Sequence, residues 1–201
     1  SLIIGFLAAS ISSIVGLFIG INAGYFKGNI DKTITIMIDL FLTFPTFFLL
    51  LALVSYIQAS ALILIIVISI TSWMGMARMI RSESFAIGNK PFIKILKVAN
   101  VSTFKIIFKY FAPLLAPIFL ISFTFGVGGS ILAESGLSFL GLGINPPSMS
   151  WGSLLSDGKA VIDIAWWVSF FPGFMIFIIT FCLIQISDYL QTLANSKEII
   201  A

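Results

Sequence analysis

Charged side chains are scarce in this sequence, and where they gather limits the chemistry open to it. Of eleven lysines and arginines, seven lie between Arg78 and Lys109. Five of those are lysines in KPFIKILKVANVSTFKIIFKYFAP, residues 90–113. Ammonium groups bind carboxylates, phosphates and anionic headgroups, whereas hydrocarbon rejects them. The eight acidic residues are scattered. They form no carboxylate pair, and neither a nucleophile beside a base nor a metal-ligating cluster can be read. Histidine is absent, which removes the usual proton relay and metal ligand. Cys182 stands alone in an apolar run and reads as a small buried hydrophobe. No catalytic residue, metal site or nucleic-acid surface is predicted.

A membrane must position those charges. The chain has 201 residues, 59% hydrophobic and only 9% charged, where a soluble domain carries about a quarter. Too little polar surface exists to cover a water-soluble globule. Apolar runs long enough to span a bilayer fall near residues 2–23, 34–56, 61–77, 111–132 and 165–183. The predicted fold is thus an all-α polytopic membrane helical bundle, with about five transmembrane helices in this chain. Pro45 should kink the second span, and the tight IQAS connection should make spans two and three a hairpin.

Basic residues set the orientation. Lys27 and Lys32 fall between spans one and two, the seven-residue basic group between spans three and four. The loop before span five holds only Lys159 against Glu134, Asp157 and Asp163. The positive-inside rule places the first and third loops and the C-terminal tail in the cytoplasm and Ser1 outside. SLIIGFLAAS has no basic leader and is no cleavable signal peptide. An outside start with an odd number of spans predicts a further upstream helix, six in the full protein.

Within the spans, Ala8, Ser12, Gly16, Gly20 and Gly24 recur every four residues and predict a smooth face for close helix packing. Asp39 lies inside the second span at a depth similar to Arg78 at the end of the third. Either Asp39 pairs with Arg78 or Arg81, or it snorkels alone toward the interface. GVGGS, residues 126–130, lacks the Lys-Ser/Thr ending of a phosphate-binding loop. Any ATPase must therefore be another chain.

On a helical wheel Lys90, Lys94 and Lys97 share one side of a two-turn helix, with Phe92, Ile95, Leu96 and Ala99 spread over the other. Asn100 suits a left-handed helix end, and Ser102 or Thr103 can cap a second helix that enters the membrane at Pro113. Two readings remain open on physical grounds. The lysines sit in anionic headgroups, or the short helix docks into a groove of a cytoplasmic partner.

AESGLSFLGLGINPPSMSWGSLLSDG, residues 133–158, resembles the last extracytoplasmic loop of dipeptide, oligopeptide and nickel ABC importer permeases. GYFKGNIDK, then Asp39 with Phe44-Pro45, then WMGMARMIR follow that family's order, so the resemblance covers nearly the whole chain. The family's cytoplasmic motif reads E-A-A, three residues, G, nine residues, I-x-L-P. Its glutamate position here is Lys94, its alanines Ile95 and Leu96, and its glycine Asn100. Its final I, L and P fall on Tyr110, Ala112 and Pro113. Spacing survives while most identities do not. Asn100 is a conservative exchange for glycine, but Lys94 reverses a charge.

The resemblance implies one permease domain over residues 1–201, half of the pore of an ATP-driven, binding-protein-dependent importer in the bacterial cytoplasmic (inner) membrane. Implied partners are a second homologous permease subunit, two cytoplasmic ATPase subunits, an extracytoplasmic substrate-binding protein and the lipid bilayer. No cofactor is expected on this chain, ATP and Mg being held by the ATPases. Peptides are the implied cargo, with nickel or metal–chelator complexes as the alternative. A loop at about 82–105 would hold the coupling helix, with Pro91, Phe92, Lys94, Ile95, Leu96, Asn100, Ser102 and Pro113 at the ATPase. A second loop, about 133–163, would hold an outer gate of Glu134, Leu137, Ser138, Phe139, Leu140, Gly141, Leu142 and Gly143, or a plug sealing helix ends. LSFLGLG is too short to span and predicts a re-entrant or interfacial turn, with Trp151, Trp166 and Trp167 at the interface. The competing class is an ion-coupled secondary transporter or channel, which would want inverted repeats and midplane charges that are not visible. A membrane scaffold that moves no cargo is the third reading.

Overall fold

A computed structural model describes residues 1–57, 60–144 and 147–200. Gln58 and Ala59 of the IQAS connection, and Pro146 of the double proline, lie outside the described residues. The order is α1 (Leu2–Phe26), α2 (Gly28–Thr43), α3 (Thr46–Ser55), α4 (Ala61–Asn89), α5 (Pro91–Val98) and α6 (Thr103–Ile106). A π-helical turn (Ile107–Phe111) then leads into α7 (Ala112–Phe139), α8 (Trp151–Lys159) and α9 (Trp167–Ile200). Among the described residues there is no strand. Four stretches are long and apolar enough to cross a membrane: Leu2–Phe26, Ala61–Asn89, Thr103–Phe139 and Trp167–Leu193. The bent pair α2–α3 makes a fifth if it counts as one span.

That pair corrects the expected kinked span over 34–56. The two helices meet at 78°, which is a break. Pro45 has no N–H to donate, and it drives Phe44 out of helical geometry to φ −83, ψ 132. The third span also outruns expectation. α4 continues past residue 77 to Asn89, so the first part of the expected loop at 82–105 is helix. No breaker intervenes until Pro91, which holds Lys90 extended at φ −61, ψ 139.

Small residues bring α1 and α4 together. A side chain at Gly16 would fall 2.8 Å from the Trp73 carbonyl oxygen, and one at Gly20 would fall 2.7 Å from that of Ala77. Gly24 meets α4 in the same way at Ser84. Ala8 and Ser12 are buried on this seam, where Ser69 Oγ donates to the Ala8 carbonyl at 3.2 Å. Backbones that approach this closely gain dispersion contacts and interhelical hydrogen bonds, the forces left to helices in lipid. By contrast, α9 turns Phe170, Phe171, Phe177 and Phe181 outward. Such apolar exposure suits hydrocarbon.

Buried residues form several clusters along the bundle, and two of them bear on the ends. At one end Ile21, Tyr25, Met76, Ile80, Ile87, Ile93, Ile106, Phe111 and Leu115 form one cluster. At the other, Ile4, Ala8, Leu50, Val54, Leu64, Val67, Ile68 and Leu137 form a second.

Candidate functional site

The expected coupling residues are held by a short helix on the first cluster. Pro91 opens α5 with its ring-fixed φ, and Asn100 closes it at φ 54. The Asn100 N–H donates to the Lys97 carbonyl at 3.1 Å and the Val101 N–H to the Leu96 carbonyl at 3.1 Å. That bond pair is a Schellman motif with asparagine in the glycine position. Ser102 stands at the N-cap of α6, but its side chain makes no capping bond. Pro113 follows the π-helical turn. Its ring would crowd the Lys109 carbonyl of a regular helix, and widening the turn lets the Ala112 N–H reach back to Ile107.

The wheel's division of α5 needs correction. Ile93, outside the expected contact set, is fully buried among Ile87, Ile106 and Phe111. Leu96 is half-buried beside it. The rest of the apolar side faces out: Ile95 is 67% exposed, Val98 84% and Phe92 39%. Lys94 is exposed on the same side as Val98. Lys97 turns the other way, with its Nζ 4.1 Å from the centre of the Tyr25 ring. Tyr25 stands edge-on to Phe111 at 5.4 Å, so α1, α5 and the entry to α7 share one aromatic joint. Ile93 escaped the sequence because its partners lie far away along the chain.

Behind this platform, ion pairs tie α2 to α4. Arg78 Nη2 donates to Asp39 Oδ1, both side chains being more than half exposed. Arg81 does not join that pair. It forks onto Asp31, with Nε to Oδ1 at 2.5 Å and Nη2 to Oδ2 at 2.9 Å. The pair is only partly exposed, and the planar fork matches carboxylate geometry. Asp31 lies before the apolar run that begins near residue 34, yet it is helical because α2 begins at Gly28. Lys27, at φ 57, donates from Nζ to Asn89 Oδ1 at 2.6 Å, joining the α1–α2 turn to the end of α4.

At the opposite end the expected gate set divides evenly between helix and turn, so the re-entrant or interfacial turn expected of LSFLGLG is confined to residues 140–143. α7 runs on through Glu134, Leu137, Ser138 and Phe139, because nothing in 133–139 breaks it. Gly141 then closes the helix at φ 80, with Gly141 N–H on the Ser138 carbonyl at 3.0 Å and Leu142 N–H on that of Leu137 at 2.9 Å. Glu134 is fully buried. Its Oε1 accepts from Ser138 Oγ at 2.7 Å, Ser135 Oγ lies 3.5 Å from Oε2, and the Ser1 nitrogen lies 3.9 Å from Oε2. A buried carboxylate requires such donors. Leu137 is buried, Leu142 packs on Leu50 and Val54's cluster, and Phe139 and Leu140 are exposed.

Two glycines dock onto this helix end. Gly143 lies against Ser138, and at Gly152 any side chain would come within 2.7 Å of Ser138 Cβ. Helix α8, which carries Gly152, splits the loop expected over 133–163. It starts with a capping box, Ser153 N–H on Ser150 Oγ at 3.1 Å and Ser150 N–H on Ser153 Oγ at 2.8 Å. Trp166 and Trp167 are half exposed just before and at the start of α9. Among the described residues no group of three or more carboxylate, cysteine or histidine side chains could hold a metal. What the molecule offers is one projecting helix at one end and one sealed joint at the other.

Comparison with known proteins identifies the family and the fold of this chain. The profile of the family described as "binding-protein-dependent transport system inner membrane component" matches residues 16–197. The chain is 33% identical over 198 residues, 98% of its length, to an oligopeptide transport system permease protein of Haemophilus influenzae, of which it covers 64%. It is 33% identical over 98% of its length to a dipeptide transport system permease protein of Bacillus subtilis, covering 62% of it. It thus spans under two thirds of the length of these relatives. A chain of the MetNI methionine ABC transporter in an inward-facing conformation superposes with a TM-score of 0.72 at 14% identity. That match covers 94% of this chain and 92% of the other, and it shows the fold.

Proposed function

This chain belongs to the binding-protein-dependent transport system inner membrane components, and on that premise we propose that it is a permease subunit of an ATP-driven importer, forming half of a peptide pore. Its relatives carry oligopeptide and dipeptide transport names, which supports peptides as cargo. Nickel or metal–chelator complexes, named at the sequence level, find no separate support in those names. The partners of this reading are a second permease subunit, two ATPases holding ATP and Mg, and a substrate-binding protein across the bacterial inner membrane. This chain supplies no bond chemistry.

One observation carries the reading. Helix α5 is pinned to the bundle through Ile93, yet it leaves Ile95 and Val98 exposed beside Lys94. An apolar face on a two-turn helix, standing outside the bundle and flanked by charge, suits the groove of a partner. Because Ile93 interlocks with Ile87 of α4 and with Ile106 and Phe111 at the entry to α7, movement of α5 moves both helices as packed solids. The nucleotide cycle of the ATPases would shift α5 and so alternate access to the pore.

The test is Ile95→Asp in the full complex. We expect roughly tenfold or greater loss of ATPase capture, since buried apolar anchors dominate such interfaces. The permease itself should keep its melting temperature, because the site is exposed. Capture at wild-type strength would remove α5 as the docking element. Lys94→Glu sharpens the result: impaired docking means an acidic groove receives the lysine, and unchanged docking places Lys94 outside the contact.

A further inference from the structure

Two phenylalanines and two lysines share one face at the entry to α7: Phe104, Lys105, Phe108 and Lys109, an F-K repeated at a spacing of four. Phe104 is 71% exposed and Phe108 54%, with their ring centres 4.3 Å apart. Lys105 and Lys109 are exposed. The opposite face is committed to the bundle through Ile106 and Phe111, both fully buried. Among the described residues neither lysine has an ion pair or an aromatic partner, whereas Lys27 and Lys97 are both spoken for.

The repeat lies where a long apolar span must leave hydrocarbon. The stretch Thr103–Phe139 has 37 residues, about 55 Å of helix at 1.5 Å per residue, against a hydrocarbon core of about 30 Å. Several turns must therefore project. Placing Lys109 at the boundary lets about 20 residues cross and brings Glu134 out of hydrocarbon at the far side. Four residues separate the two ammonium groups, about 6 Å along the axis, which matches the depth of a headgroup layer.

We propose that Phe104, Lys105, Phe108 and Lys109 form a binding face for anionic phospholipid in the leaflet on the α5 side, the Phe108 ring lying at the hydrocarbon boundary, Phe104 among the headgroups and the ammonium groups on headgroup phosphates. This surface is distinct from α5. Ile95 and Val98 project from a separate helix beyond the Asn100 turn, whose own outward ring, Phe92, leans on Tyr110 at 6.3 Å. Two cations beside exposed rings at a span entrance, where a long apolar helix leaves hydrocarbon, match a charged lipid surface.

The full complex is reconstituted in vesicles of equimolar phosphatidylcholine and phosphatidylglycerol, with a photoreactive benzophenone side chain at position 108. Illumination should label lipid, with phosphatidylglycerol captured over phosphatidylcholine by up to about thirtyfold, the scale expected of two juxtamembrane lysines at about 1 kcal/mol each. Lys105→Gln with Lys109→Gln should return capture to the vesicle ratio, and the same double change to arginine should preserve the preference. Label on an ATPase or on another permease subunit overturns the proposal, as does lipid capture with no preference in the wild-type lysine background. Should the glutamine pair fail to assemble, the wild-type background and the arginine pair still decide.

Discussion

Helices α5 and α7 end in the same way at opposite ends of the molecule, yet the two ends serve opposed purposes. Each closes with a Schellman motif, one through Asn100 at φ 54 and one through Gly141 at φ 80. At Asn100 the preceding helix is anchored chiefly by the buried Ile93, with Leu96 and Lys97 beside it, and turns Ile95 and Val98 outward. At Gly141 the preceding turn is consumed: Leu137 and Glu134 are fully buried, and Gly143 and Gly152 close over Ser138. Identical backbone geometry therefore says where a helix stops and nothing about whether its end is a handle or a seal. Burial of the last turn separates the two.

The seam should break hardest under added bulk. Gly152→Val would drive a branched side chain into Ser138 Cβ and the Ser135 backbone, which have no room to retreat. The expected loss is about 3 kcal/mol of stability, read as a drop in melting temperature and in yield of folded complex. Ala99→Val is the matching change at the α5 end, where the site is exposed, and should shift stability by less than about 0.5 kcal/mol. Equal effects at both positions would abolish the distinction between seal and handle.

Serine provides the next contrast. Ser138→Ala removes the 2.7 Å donor from a buried carboxylate, and about 2 kcal/mol should be lost. Ser102→Ala removes a hydroxyl that makes no capping bond, so the ordinary cost of losing an N-cap serine, about 1 kcal/mol, should not appear. Thermal melts of the two variants side by side measure this difference.

How far the sequence disclosed these ends follows from the range of the forces involved. Asn100 was legible because a left-handed helix end is written in the few residues around it. The glycine stripe was legible too, its four-residue period surviving in a straight helix. The span count could be read from apolar length, but Phe44-Pro45 gave a kink on paper and a 78° break in the fold. The helical end of α7 was hidden because Glu134 looked like a boundary, when the hydroxyls of Ser135 and Ser138 let it stay buried. Asp31 and Ile93 were invisible for a related reason. Their partners, Arg81 and Phe111, come from helices whose register no single segment fixes.

The smallest prediction exchanges the two closing residues. Asn100→Gly removes the steric cost that a side chain bears at φ 54, at a position with an exposed side chain. It should stabilise the protein by about 0.5 kcal/mol, and because α5 then ends no differently, ATPase capture should stay unchanged. Gly141→Asn is the reverse exchange at φ 80, where a Cβ would meet nothing within 4 Å. Space is therefore no objection, and only backbone strain opposes it. The expected cost is about 1 kcal/mol. Melting temperatures of the two variants should thus move in opposite directions. A loss several times larger at Gly141 would mean the turn must flex during transport or assembly. A stabilising shift there would mean that asparagine and glycine are equivalent at both ends, leaving burial of Glu134 and Ser138 as the sole difference between them.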